Sequence, residues 1–252
     1  MTAALAALGT MAAGRGRMLL LVSLLGWAAM LTMGLERGAA GLCGAMSLPA
    51  LRGGVETMLR LHPVALLLEG WTAMIAAMMA PLLWQPLEHV RLRSLARRRH
   101  RALALFAAGY GGSWLLACAG LWLAAAALQQ MLAGYALPAA LGVALGWQGT
   151  PAKALALRRC HARPPLAVFG LAAEWASLRY GIEAAAPCIG ACWALMLLPF
   201  AAGAFALPAM IAVAAGMLAE RYGRLPPPGW RRGRCVAGTV LAAVAVGVGI
   251  TG

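Results

Sequence analysis

The sequence predicts an all-α fold: a polytopic transmembrane helical bundle of about seven spans (six to eight) with one interfacial or re-entrant helix. Three observations lead there. Of the 252 residues, 63% are hydrophobic and only 11% charged, against about 25% charged in soluble domains. Apolar runs of roughly 17 to 25 residues recur along the chain, each long enough to cross about 30 Å of hydrocarbon as a helix. The polar stretches between them are too short to fold alone, so residues 1–252 read as a single integral membrane domain.

The predicted spans lie near 18–35, 64–84, 102–128, 131–147, 184–202, 204–220 and 235–250. Arg15 and Arg17 precede the first, and small residues follow it at 38–41, the outline of a signal peptide. Its length favours an uncleaved first span. The stretch 166–183 (LAVFGLAAEWASLRYGIE) carries Glu174, Arg179 and Glu183. Three charges do not suit a lipid-facing span, so this segment is expected to be interfacial or re-entrant.

Charge sets the expected orientation. The chain holds twenty arginines, one lysine (Lys153), seven glutamates and no aspartate, for a net charge of +14. With the N-terminus inside a seven-span bundle, seventeen of the 21 basic residues fall in cytoplasmic loops, Arg37, Arg52 and Arg60 fall outside, and Arg179 in the 166–183 stretch is assigned to neither side. That bias predicts a cytoplasmic N-terminus and a periplasmic C-terminus. It also accounts for the basic clusters at 91–101 and 221–234 through lipid headgroups and topology, without nucleic acid. No internal repeat is evident, and HExxH, GxSxG, P-loop and dinucleotide glycine patterns are missing, so no enzymatic motif is available.

Soft donors are the chemical feature. In WTAMIAAMMAPLL (residues 71–83), Met74 and Met78 are one helical turn apart on one face, with Met79 beside them and Pro81 freeing a backbone carbonyl. In PCIGACWALM (residues 187–196), Cys188, Cys192 and Met196 follow at i, i+4 and i+8, one stripe of one helix. Thiols and thioethers suit Cu(I), and thioethers ligate without losing a proton. The competing reading is packing: methionine fills irregular gaps, and buried cysteine behaves as a small hydrophobe. Glu69 sits in LLLEGW near the start of the second span, where a carboxylate faces an ion path, a partner or the interface. Cys43, Met46 and His62 lie in the expected outer loop.

Three segments together resemble one family. WTAMIAAMMAPLL is similar to the W..M..AMM.P signature of DUF2182, bacterial multi-pass proteins described as predicted metal-binding integral membrane proteins. WQGTPAKALALRRCHARP (147–164) resembles that family's Q-x-T-P-x-K…C loop, and GIEAAAPCIGACWALM (181–196) resembles its G…C-x-G-C-C-W-x-L-M segment. The resemblance covers about residues 60–222. Residue by residue it carries over to Trp71, Met74, Met78, Met79 and Pro81; to Gln148, Thr150, Pro151, Lys153 and Cys160; and to Cys188, Gly190, Cys192, Trp193, Leu195 and Met196. Ala156 and Ala191 stand where relatives have further cysteines, which leaves Cys160 as the loop's thiol.

The resemblance implies a protein of the bacterial cytoplasmic (inner) membrane that binds a metal. With the softness argument this gives the leading expectation: binding, relay or transport of Cu(I) through a site of Met74, Met78, Met79, Cys188, Cys192 and Met196 between the second and fifth spans. Glu69, Trp71, Cys160 and Lys153 are accessory candidates. A metallochaperone or an assembling metalloenzyme is the expected partner besides the bilayer. The alternatives are a non-enzymatic scaffold or subunit in which the sulfurs only pack, and a small channel with Glu69 and Gln129 or Gln130 on a polar path. A thiol–disulfide oxidoreductase ranks below both, since it needs an accessible low-pKa cysteine pair.

Overall fold

The computed structural model describes residues 17–37, 64–132 and 135–223, with a few positions before Arg17. The expected span at 235–250, and Cys43, Met46 and His62, lie outside the described residues. Every regular element among the described residues is a helix. Helix α1 spans Arg17–Arg37 and α2 Val64–Met79. A 3₁₀ turn at Ala80–Leu83 leads into α3, Trp84–Arg93. Then come α4 (Arg99–Leu132), α5 (Ala136–Gln148), α6 (Pro151–Arg159), α7 (Gly170–Ala201) and α8 (Ala206–Tyr222).

Among the described residues, four segments are long and apolar enough to cross a membrane: Arg17–Leu35, Val64–Arg93, Ala96–Leu132 and Gly170–Ala201. Six of the seven expected spans fall within the described residues, and two of these, the fourth and the sixth, are shorter helices; the sixth is α8, 17 residues long. The fourth expected span is realised as α5, only 13 residues long, and such a helix reaches about 20 Å, short of the hydrocarbon thickness. The separate interfacial helix does not exist: residues 170–183 are the first half of α7, continuous with the cysteine-bearing half. The charges that argued against a helix here are paired. Arg179 Nε lies 2.6 Å from Glu183, one turn away, and Arg101 lies 2.8 Å from Glu174. At 32 residues α7 is also longer than the bilayer core requires, so its charged first turns have room to project past the hydrocarbon.

Proline and glycine decide how the helices meet. Pro81 has no N–H for the carbonyl four residues back, that of Ala77. Ser23 of α1 supplies the missing donor, with Oγ 2.6 Å from Ala77 O. Gly26 permits that approach, since a Cβ there would fall 2.5 Å from Ala77 N. In lipid no water can satisfy a freed carbonyl, so the α1–α2 contact is fixed by this backbone break. The principal packing in the bundle is α4 against α7. There a Cβ at Gly109 would sit 2.4 Å from Leu178 O, and one at Gly181 would sit 2.3 Å from Phe106 O. Two bare backbones thus pass at near contact, the small-residue packing typical of membrane helices.

The arginine-rich ends gather on one side. Arg98 donates to Gly170 O at 3.1 Å, His89 Nε2 lies 3.0 Å from Pro164 O, and Arg221 donates to Cys160 O at 2.7 Å. These contacts join the end of α3, the starts of α4 and α7, the 160–165 loop and the end of α8. Elsewhere the surface is apolar: Leu24, Leu25, Leu31 and Leu116 are all exposed. Such a surface suits lipid tails better than water.

Candidate metal site

Helix α7 brings the two cysteines of its stripe to the arginine-rich half of the bundle. Cys188, Cys192 one turn on, and Cys160 from the loop after α6 line one cavity, with Cys188 interacting electrostatically with both of the others. Tyr110 of α4 donates to Cys188 Sγ at 3.2 Å, a contact made at the glycine-mediated crossing one residue past Gly109. Three thiols therefore form a chain with Cys188 in the middle. Beside them lies a cavity of about 30 Å³, lined by these thiols, Tyr110, Met217, Glu220, Arg221 and an apolar wall of Leu82, Leu83 and Pro86. That volume holds one ion or one water, not a larger ligand.

The loop motif Q-x-T-P-x-K has a structural explanation. Thr150 caps α6, its Oγ1 accepting from Lys153 N at 3.2 Å, and Pro151 fills the first turn, where no N–H is needed. Lys153 then points inward with its side chain 1% exposed; its ammonium is bonded to Gln148 Oε1 and lies 2.8 Å from the Glu220 carboxylate. The chain's sole lysine is thus an internal cation clamping α6 to α8. Arg221, next to Glu220, holds the Cys160 carbonyl. Cys160 keeps its proton more firmly than an ordinary thiol, first through its hydrogen bond to Cys188 and then through burial, with Arg221 opposing both.

The structure gathers Cys188, Cys192 and Cys160 and sets Lys153 beside them. Met74, Met78, Met79 and Met196 do not line this cavity; each is fully buried in the helical core. The methionine segment reaches the cavity only through Leu82 and Leu83, beyond Met79, and the thioether on its wall is Met217. Helix α2 packs chiefly on α1, whose Met30 and Met33 are buried in the same core. Trp71 is buried with its ring 6.4 Å from that of Trp122, and Glu69 lies on an exposed face of α2. Gln129 donates to Phe200 O at 3.3 Å. Among the described residues no three His, Cys, Asp or Glu side chains stand as a ready-made metal centre.

Four contributors were not singled out in the sequence. Glu220 had a usable signal, an isolated acid closing an otherwise apolar helix. Arg221 was read only as a loop charge, and Tyr110 and Met217 had no local signal. Tyr110 is testable directly. Tyr110→Phe removes the donor to Cys188 and is expected to cost about 1 kcal/mol, read as a fall of about 3 °C in the unfolding midpoint in detergent. An unchanged midpoint would mean that the hydroxyl contributes nothing there.

No curated protein matches this chain, and no solved structure does. A family model does match: "PpoB2: Copper chaperone", over residues 67–248. The match takes in the methionine segment, the Lys153 loop and the cysteine helix, and its name differs from DUF2182, the family suggested by the three motifs. By a match over well more than half its length, the chain belongs to the PpoB2 copper chaperone family.

Proposed function

We propose that this protein binds and relays Cu(I) inside the bacterial cytoplasmic membrane, through the chain of thiols Cys160, Cys188 and Cys192 with Met217 beside it. The observation that supports this best is the convergence of Cys160 with Cys188 and Cys192 on a cavity of about 30 Å³, the size of a single ion. Sulfur donors select Cu(I) over harder ions by softness. Arg221 on the cavity wall opposes the influences that hold the Cys160 proton in place, so its charge helps that thiol to give up the proton when a metal binds. Met74, Met78 and Met79, buried with Met30 and Met33, form a separate thioether-rich zone that serves packing or a later step of the relay. Gathering of the arginines at the cavity end supports placing that end in the cytoplasm, and an assembling metalloenzyme or a metallochaperone as partner.

The test is Cu(I) titration of the purified protein in detergent under reducing conditions, against a competing chelator. The double variant Cys188→Ser/Cys192→Ser is expected to weaken binding by at least about 100-fold, beyond the tenfold to 100-fold typical of losing a supporting partner. Met74→Leu/Met78→Leu is expected to leave the tight site intact. Equal loss in both variants would move the site towards the methionines. Failure of the unmodified protein to bind would leave the sulfurs as packing in a membrane scaffold.

A further inference from the structure

A second, larger cavity opens directly outside the thiol chain. It measures about 310 Å³ and is lined by Arg159, Arg163, Tyr180 and Glu183, with Cys160 and Ala184 shared between it and the inner cavity. The two spaces differ tenfold in volume and meet at one thiol. The outer one falls in the range that takes small organic ligands; the inner one admits only an ion. Glu183 is held by Arg179 at 2.6 Å, so Arg159 and Arg163 dominate the charge facing the outer space. Both carry exposed side chains on the loop side, and guanidinium groups bind carboxylates with directed, paired hydrogen bonds.

We infer that this outer cavity is a docking vestibule for a small anionic thiol carrying Cu(I), and that Cys160 is the point of exchange. The inference rests on the copper reading above and names the carrier class for the same site. A carrier of tripeptide size fits the vestibule and cannot enter the inner cavity, so the metal must leave it at Cys160. In that exchange the copper–sulfur bond to the carrier breaks and one to Cys160 Sγ forms. The Cys160 proton passes to the departing thiolate, and copper stays in the +1 state. Cys188, a free thiol on the wall of the same inner cavity, is the next acceptor, and Cys192 the one after.

The experiment follows stopped-flow loading of the full-length protein in detergent from two carriers, Cu(I)–glutathione, which bears carboxylates, and Cu(I)–cysteamine, which bears none. The double variant Arg159→Ala/Arg163→Ala is expected to slow loading from glutathione about tenfold, the scale of electrostatic capture in a charged cleft. Its loading rate from cysteamine and its final copper content should be unchanged. Arg159→Lys/Arg163→Lys should retain much of the glutathione rate. Normal final copper with rates that ignore the arginines, or that fall equally for both carriers, would overturn the vestibule alone. Failure of the unmodified protein to take copper from either carrier would overturn the copper reading and this inference with it.

Discussion

Gly181→Ala is expected to separate α4 from α7 and to destabilise the bundle by about 3 kcal/mol, the upper part of the usual range for overpacking. A methyl group at position 181 would lie 2.3 Å from Phe106 O and 3.0 Å from Tyr110 N. Both obstacles are backbone, so no rotamer change relieves the clash and the helices themselves must shift. Gly109→Ala meets Leu178 O at 2.4 Å from the other side and is expected to cost about as much. Because both glycines serve one crossing, the double variant should cost less than the sum of the two, a coupling that a double-mutant cycle would measure. The site should suffer with the fold, since the same crossing holds Tyr110 against Cys188. Thermal unfolding in detergent and Cu(I) affinity are the two readouts; a Gly181→Ala protein normal in both would refute this account of the crossing.

The second large effect concerns the internal ion pair. Lys153→Met removes the cation from the Glu220 carboxylate, whose side chain is only 16% exposed. Glu220→Leu leaves the Lys153 ammonium, 1% exposed, with Gln148 as its remaining partner. Stranding one charge of such a pair costs about 3 to 5 kcal/mol, whereas replacing both by apolar groups is often neutral. The expected pattern is therefore two badly destabilised single variants and a Lys153→Met/Glu220→Leu double variant that recovers most of the loss. Three variants of similar stability would show that the pair does little to hold α6 on α8.

Local rules carried the sequence reading well where the information was local. The apolar runs at 18–35, 64–84 and 102–128 became helices close to those bounds. The i, i+4 spacing of Cys188 and Cys192 places both on the wall of one cavity, and Met74 and Met78, one turn apart, are both buried. The charged stretch 166–183 was misjudged because a count of charges does not reveal that Arg179 and Glu183 pair with each other and Glu174 with Arg101. Glycine content cannot by itself say which helices cross closely. Which of 31 glycines matter depends on the backbone each one faces, and only the crossing shows that Gly109 and Gly181 face α7 and α4. The partners of the cysteine stripe were hidden for the same reason: Tyr110, Cys160 and Met217 are 78, 28 and 29 residues from Cys188 along the chain.

Sealing Lys153 inside the bundle makes its amine a reporter of motion. Every other cationic side chain that carries a fixed charge is a guanidinium, inert to reagents that acylate amines. At 1% exposure Lys153 is shielded from such reagents while α6 stays docked on α8. Its acylation must then wait for that contact to open, and the modification rate, followed by mass spectrometry, reads the opening equilibrium as amide exchange does for a backbone N–H. Slower acylation in the presence of Cu(I) would measure how far an occupied thiol chain tightens the seam above it.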